Sequence, residues 1–196
     1  MVKENLIEVV RKYTIKNSEL NDIHGFPHIE RVYNLCITLG KKLNANLDVL
    51  KIASLLHDLA RNKKKNKDIR ENHAEISAKL AKVYLNSQDF NLPDENMKNI
   101  LHCIKAHSFS NQVRPKTLEA KILSDVDKID AIGAIGLYRT IGYTIQNKGN
   151  LNDVINHLEE KILKIKDGLI LDISKKIATK KHKIIADFYT QIKEEI

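Results

Sequence analysis

Histidine and aspartate side chains at three places in the sequence could together bind a divalent metal ion. His57 and Asp58 are adjacent at the end of a strongly apolar segment, and burying an imidazole beside a carboxylate costs several kcal/mol unless something compensates. A metal ion compensates directly, although a hydrogen-bonded pair at a helix end explains the dipeptide alone equally simply. His28 begins a helical pattern upstream, and Asp127 lies in a carboxylate-rich stretch, SDVDKID, that interrupts an apolar pattern. The four residues taken together favour a metal site.

Further histidines occur in the same part of the chain. Six of the eight lie within the first 107 residues, and although a lone histidine is more often a core residue than a ligand, a group of this size indicates an active-site wall. His73 and His107 are the preferred catalytic candidates, since an imidazole can donate to phosphate oxygens, transfer a proton or bind a second ion. His24 and His102 are expected at the substrate-binding edge, with a capping or surface role as the alternative for His24.

Helices must position these side chains, because apolar residues recur at steps of three and four and no segment alternates as a strand would. The pattern predicts an all-α helical bundle with helices over residues 28–43, 47–60, 71–88, 94–107, 118–130, 131–147, 152–166 and 172–194. The first residues also mix charge into a helical pattern. The helix over 47–60 is apolar on most sides and is expected to be the central buried helix. Pro27, Pro93 and Thr117 suit the starts of three helices.

Length and composition limit the class of protein. A chain of 196 residues suits one domain, with a motif-bearing core at about 20–145 and C-terminal helices at about 150–196 packed on it. The net charge of +8 favours anionic partners. Cys36 and Cys103 are flanked by apolar residues and are expected to be buried thiols in a reducing, cytoplasmic compartment. No apolar run is long enough to span a membrane.

Several motifs extend the pattern beyond the four metal candidates. They are HGFPHIERV, LLHDLAR, ENHAEISA, CIKAHS, SDVDKIDAIGAIG and the C-terminal HLEEKILKIKDGL. In order and spacing they resemble the HD superfamily of metal-dependent phosphohydrolases. The resemblance covers essentially the whole chain and is strongest to the small bacterial single-domain branch, which includes nucleotide pyrophosphohydrolases. It implies an all-α bundle of the HD-domain type.

The resemblance also implies a ligand set. His28, His57, Asp58 and Asp127 match the family's two histidines and two carboxylates, and this mixed donor set suits one divalent ion, Mn, Fe, Co, Ni or Mg, with Mn or Fe preferred. Asp127 is preferred to Asp125 because the family's aspartate follows a small residue and precedes a basic one. Asp125 remains the alternative ligand or an exposed side chain. Asp130, one turn later, is expected to orient its neighbours or cap the helix.

Basic residues near the motifs could bind phosphate. A run from Arg61 to Lys67 follows the metal helix, and Lys63 is the preferred phosphate clamp, with an ordinary solvated loop as the alternative. Arg31 shares a helical face with His28 and could bind phosphate or form a salt bridge. Stringent-response hydrolases of the superfamily carry a Glu-Asp pair where this chain has Arg61-Asn62, which argues against activity on guanosine tetraphosphate. A second ion on His73 and His107 is the less favoured interpretation, because the spacing differs from that of the dinuclear cyclic-dinucleotide phosphodiesterases.

The expected activity is hydrolysis of a (deoxy)nucleoside triphosphate to monophosphate and pyrophosphate by a metal-activated water. A nucleotide phosphomonoesterase is the alternative within the superfamily. A nucleic-acid-binding module that uses the basic C-terminal helices is the alternative of another class. It is disfavoured because those helices carry apolar core positions and no aromatic platform for bases. The expected partner is a small phosphorylated substrate, with no membrane, and the chain is expected to be a monomer or homodimer.

Overall fold

Apolar residues at helical spacing form nine α-helices in the residues that the structure, a computed structural model, describes: 4–61, 72–88 and 90–196. The helices are α1 (Glu4–Asn17), α2 (Phe26–Leu43), α3 (Leu47–Leu56), α4 (His73–Ser87), α5 (Asp94–His107), α6 (Leu118–Asp130), α7 (Gly133–Gln146), α8 (Leu151–Glu160) and α9 (Asp172–Glu194). Short 3-10 helices cover Phe109–Asn111 and Ile162–Gly168. No strand occurs in these three ranges. The all-α prediction is therefore confirmed.

Helix α3 is the centre of the N-terminal half, as its apolar composition predicts. Seven of its positions are buried: Val49, Leu50, Ile52, Ala53, Ser54, Leu55 and Leu56. It packs against α1, α2, α4 and α5, and burial on all sides explains why its sequence lacks a polar face. Asn46 caps its start by accepting the backbone N–H groups of Asp48 and Val49.

The pattern predicts that this helix continues to residue 60, but α3 ends at Leu56 and the chain runs on in turns to Ala60. The side chain of His57 provides the reason. Its Nδ1 lies 2.7 Å from the carbonyl oxygen of Ser54. In a continuing helix this oxygen would accept the backbone N–H of Asp58, so the side-chain bond competes with the next helical hydrogen bond. His57 and Asp58 therefore project from a turn at the end of the central helix.

The start of α2 depends on a glycine. A Cβ on Gly25 would overlap the carbonyl oxygens of Glu19 and Asn21. The backbone N–H of Gly25 instead donates to the oxygen of Asn21 at 3.0 Å, and that of Phe26 donates to the oxygen of Glu19 at 2.8 Å. Pro27 follows in the first turn of α2, as expected of a residue whose φ is already helical. This tight entry sets the position of His28.

The chain divides into two compact units, Met1–Ser124 and Asp125–Ile196, with the division inside α6. In the first unit, α4 packs on α5 and α3 packs on α5. In the second, α7, α8 and α9 pack on one another. The single domain with a core over residues 20–145 stays a prediction.

Smaller expectations about the chain are also met. Cys36 and Cys103 are buried thiols. Thr117 accepts the backbone N–H of Ala120 at 3.2 Å and so begins α6 as predicted. Among the described residues, no helix combines the length and the apolar character that crossing a membrane requires.

Candidate metal centre

The carboxylate of Asp58 is buried among four imidazoles. Its Oδ2 lies 3.8 Å from Nε2 of His28 and 3.8 Å from Nε2 of His57. Its Oδ1 lies 3.5 Å from Nε2 of His73 and 3.5 Å from Nε2 of His107. The Asp58 side chain is only 1% exposed, and within the described residues neither of its oxygens accepts a hydrogen bond. A buried charge of this kind needs compensation.

Different elements of the first unit supply the five side chains. His28 comes from the first turn of α2, His57 and Asp58 from the turn after α3, His73 from the first position of α4 and His107 from the last position of α5. The hydroxyl of Ser77 on α4 accepts the backbone N–H of Ala60 at 3.0 Å. This bond ties the turn that carries Asp58 to the helix that carries His73.

Hydrogen bonds to backbone carbonyls orient two of the rings. Nδ1 of His57 lies 2.7 Å from the oxygen of Ser54, and Nδ1 of His107 lies 2.6 Å from the oxygen of Ile104. A carbonyl oxygen can only accept, so each Nδ1 carries the donated hydrogen. In the neutral ring, Nε2 then presents its lone pair to the carboxylate, which is the orientation of a metal-ligating histidine.

The separations of the nitrogens from the Asp58 oxygens are close to those of ligands that share a cation. Two atoms that are each about 2.1 Å from one ion lie roughly 3.0 to 3.6 Å apart for ligand angles of about 90 to 120°, whereas a charge-assisted N–H···O bond is about 2.7 to 2.9 Å long. The 3.5 Å separations lie within the first range and the 3.8 Å separations slightly above it. His28, His57 and Asp58 each offer a ligand atom within 4.8 Å of the others. Nitrogen and oxygen donors of this kind suit a borderline divalent ion.

Arg61 is the cation nearest to this carboxylate in the described residues. Its Nη1 lies 3.5 Å from Oδ2 of Asp58, and its side chain is 32% exposed. Burial raises the pKa of Asp58, but the charges of Arg61 and His57 and the interaction with His107 together lower it by more, so the pKa lies well below its usual range. Asp58 is therefore a carboxylate at neutral pH, the form that a metal requires.

Arg61 contacts the site, although the sequence did not single it out within the basic run. It belongs to the predicted basic run, but Lys63 was preferred as the clamp, and Lys63 lies outside the described residues. The spacing of three residues between Asp58 and Arg61 indicates that the two side chains lie close together, because residues at that spacing share a face of a helical turn.

The two candidate aspartates on α6 differ in their surroundings. Asp125 is fully buried, and its carboxylate accepts the backbone N–H groups of Ile170 and Leu171 at 2.9 and 2.8 Å. The alternative that Asp125 is exposed is therefore wrong. Asp127 is half-buried on α6 in the second unit. Both oxygens of Asp125 therefore accept backbone N–H groups, and the role of Asp127 as ligand stays a prediction.

Asp130, expected to orient its neighbours or cap a helix, forms a buried ion pair. Nη1 of Arg139 donates to its carboxylate at 2.6 Å and lies 3.3 Å from its carbonyl oxygen. The pair joins the end of α6 to α7. The sequence leaves the role of Arg139 open, because nothing in its local pattern indicates that this side chain is buried.

In the described part of the chain, no hydrogen bond or ion pair joins Asp58 to the other substrate candidates, His102, His24 and Arg31. Nε2 of His102 accepts the backbone N–H of Lys116 at 2.9 Å, and burial, then the charge of Lys116, lowers the pKa of this imidazole. The backbone N–H of His24 donates to the side chain of Asn21. Arg31 is half-buried on α2. Substrate binding by these three residues stays a prediction.

Known proteins share both the motif region and the fold. The family model of the HD domain matches residues 25–132. YpgQ, a Bacillus subtilis protein, is 26% identical over 181 residues, which are 88% of this chain and 84% of YpgQ. Its crystal structure in complex with ADP shows the same fold, with 24% identity and a TM-score of 0.75 over 97% of each chain.

Two further solved structures agree. A Lactobacillus plantarum protein is 26% identical with a TM-score of 0.81 over 100% of this chain and 98% of its own. An HD-superfamily hydrolase from Bacillus thuringiensis is 27% identical with a TM-score of 0.75 over 98% of this chain and 97% of its own.

HD domains bind a divalent metal ion, and the buried histidines around Asp58 are able to hold one. The family model covers more than half of the 196 residues. The chain therefore belongs to the HD domain family and is a metal-dependent phosphohydrolase.

Proposed function

We propose that this phosphohydrolase acts on nucleotides and converts (deoxy)nucleoside triphosphates to monophosphates and pyrophosphate. The observation that carries the proposal is the buried Asp58 carboxylate, which has imidazoles on both sides and the guanidinium of Arg61 at 3.5 Å. A cation site with a partly exposed arginine beside it suits a ligand with several phosphate groups. The ADP bound to YpgQ, a relative of the same fold, supports a nucleotide as that ligand.

Each sequence candidate has a role in this proposal. His28, His57, Asp58 and Asp127 hold the ion, with Mn or Fe preferred, and Asp130 keeps the end of α6 in place through Arg139. The catalytic side chains are Asp58, His73 and His107. Lys63, Arg31, His24 and His102 contact the substrate, and Arg61 joins them.

When bound, a divalent ion supplies Lewis acidity, lowering the pKa of water and neutralising phosphate charge. The protein contributes orientation. The carbonyls of Ser54 and Ile104 hold the rings of His57 and His107 with Nε2 directed at Asp58. Burial of these rings, which are at most 1% exposed, excludes bulk water and strengthens every charge interaction in the site. The proposed setting is the cytoplasm, with the chain as a monomer or homodimer.

Product analysis tests the proposed bond. Purified protein supplied with Mn(II) and a panel of nucleoside and deoxynucleoside triphosphates is expected to release monophosphate and pyrophosphate in equal amounts, measured by ion chromatography. The Asp58→Asn protein, prepared in parallel, controls for contaminating phosphatases. Release of orthophosphate alone from nucleoside monophosphates, with triphosphates left intact, would contradict the proposal and identify a phosphomonoesterase.

A further inference from the structure

Helix α1 contacts three of the helices around the metal candidates. It ends before residue 25, where the match to the HD family model begins, so that match does not account for it. Nη1 of Arg11 donates to the carboxylate of Glu30 on α2 at 2.5 Å. The ring of Tyr13 stacks on that of Tyr84 on α4, with 3.6 Å between the ring centroids. The helix also packs on α3, and these contacts fix its position beside the site.

The hydroxyl of Thr14 on α1 contacts the end of α3. Its Oγ1 lies 3.0 Å from the carbonyl oxygen of Val10 in its own helix and 3.2 Å from that of Leu55 in α3. Thr14 and Leu55 are both fully buried. A bond to the oxygen four residues earlier is common for a threonine in a helix, whereas the contact with Leu55 joins two helices. It places a hydroxyl donor two residues before His57.

The carbonyl oxygen of Leu55 is one that a longer α3 would use. In a continuing α-helix it would accept the backbone N–H of Leu59. That N–H donates instead to the oxygen of Leu56 at 3.4 Å, and the threonine hydroxyl of α1 lies at the oxygen of Leu55. The oxygen of Ser54 is used in the same way by the ring of His57. Side chains therefore occupy both oxygens that extension of the helix requires.

A second buried hydroxyl holds the same turn from the side of α4. Oγ of Ser77 accepts the backbone N–H of Ala60 at 3.0 Å, and both residues are fully buried. His57 and Asp58 lie between the two hydroxyl contacts in the sequence. The turn that carries them is therefore held at each end by a side chain from another helix.

We propose that Thr14 is a positioning residue of the metal centre, whose hydroxyl keeps α3 from extending and so holds His57 and Asp58 in their turn. The proposal rests on the proposed function, in which these two residues are ligands. A buried carbonyl oxygen without a donor is costly, and the apolar pattern of residues 47–60 favours a helix. Loss of the hydroxyl therefore favours extension of the helix through the turn, with the oxygen of Leu55 bonded to the backbone instead.

The Mn(II) affinity of the full chain tests Thr14 without a measurement of turnover. Thr14→Val keeps the shape of the side chain and removes the donor. It is expected to raise the Mn(II) dissociation constant by about 10-fold to 100-fold, measured from the paramagnetic resonance signal of the free ion during titration. Thr14→Ser keeps the hydroxyl and should bind as tightly as the unmodified chain. Thr144→Val is the matched control, because the hydroxyl of Thr144 also contacts the oxygen four residues earlier in its helix, and it should leave the affinity unchanged.

The visible absorption of bound Co(II) provides a second readout, because it reports the geometry of the ligands. The spectrum of Thr14→Val is expected to differ from that of the unmodified chain, and the spectrum of Thr14→Ser to match it. A role in stability alone would lower the free energy of unfolding and leave the spectrum unchanged. If Thr14→Val does not fold by circular dichroism, Thr14→Ala is measured under the same criteria.

The outcomes separate this proposal from the proposed function. Unchanged affinity and spectrum in Thr14→Val, or an equal loss of affinity in Thr14→Ser, would overturn the positioning role. If the unmodified chain still binds Mn(II) and hydrolyses nucleotides in that case, the proposed function stands. Absence of both Mn(II) binding and hydrolysis in the unmodified chain would overturn the two proposals together.

Discussion

Replacing Asp58 by asparagine is expected to remove the bound metal and to lower nucleotide hydrolysis by about 1,000-fold or more. The carboxylate is the donor shared by every group of ligand atoms around it, and an amide of the same shape cannot supply its charge. The bound ion contributes several kcal/mol to transition-state stabilisation, and each 1.4 kcal/mol or so corresponds to a factor of about ten in rate.

The helical circular dichroism of the Asp58→Asn protein should persist, because the apolar surface of α3 is buried independently of the metal. Metal per chain and turnover with Mn(II) are the measurements. Asp48→Asn, the same substitution in the first turn of the same helix, is the matched control and should retain both. An Asp58→Asn protein that keeps its metal and hydrolyses at the normal rate would show that the chemistry lies elsewhere.

The second large effect concerns the two aspartates of α6. Asp127→Asn is expected to weaken Mn(II) binding by about 100-fold or more, exceeding the effect typical of residues that only orient a ligand, with little change in stability. Asp125→Asn should instead retain the metal and lower the free energy of unfolding by about 2 to 4 kcal/mol, because its buried carboxylate accepts backbone N–H groups of Ile170 and Leu171. The pair of variants separates a ligand from a structural carboxylate.

Metal titration and urea unfolding of both proteins measure these two outcomes. The two positions lie on one helix, so each variant serves as the control for the other. If Asp125→Asn loses the metal while Asp127→Asn binds it normally, the assignment of Asp127 is wrong.

The sequence predicts those features of the site that depend on residues nearby in the sequence. The apolar character of residues 47–56 identifies α3 as the central helix, and this makes the polar pair at its end, His57 and Asp58, conspicuous. Burial of both residues confirms that inference. Thr117 and Pro27 mark helix starts because their chemistry acts locally.

Features that depend on contacts between distant segments could not be predicted in the same way. The end of α3 at Leu56 follows from a side-chain bond that helical periodicity does not reveal. The backbone contacts of Asp125 involve residues 45 and 46 positions away, so only the folded chain shows why it is buried. The equal distances of His73 and His107 from one oxygen of Asp58 likewise arise from three elements that meet only in the folded first unit.

Anomalous diffraction from crystals of the Mn(II)-loaded protein would locate the metal centre directly. We expect a strong manganese peak about 2.0 to 2.3 Å from Nε2 of His28, Nε2 of His57 and an oxygen of Asp58. A manganese peak remote from Asp58, or its absence while these three side chains keep their positions, would contradict the metal centre on which the proposed hydrolysis depends.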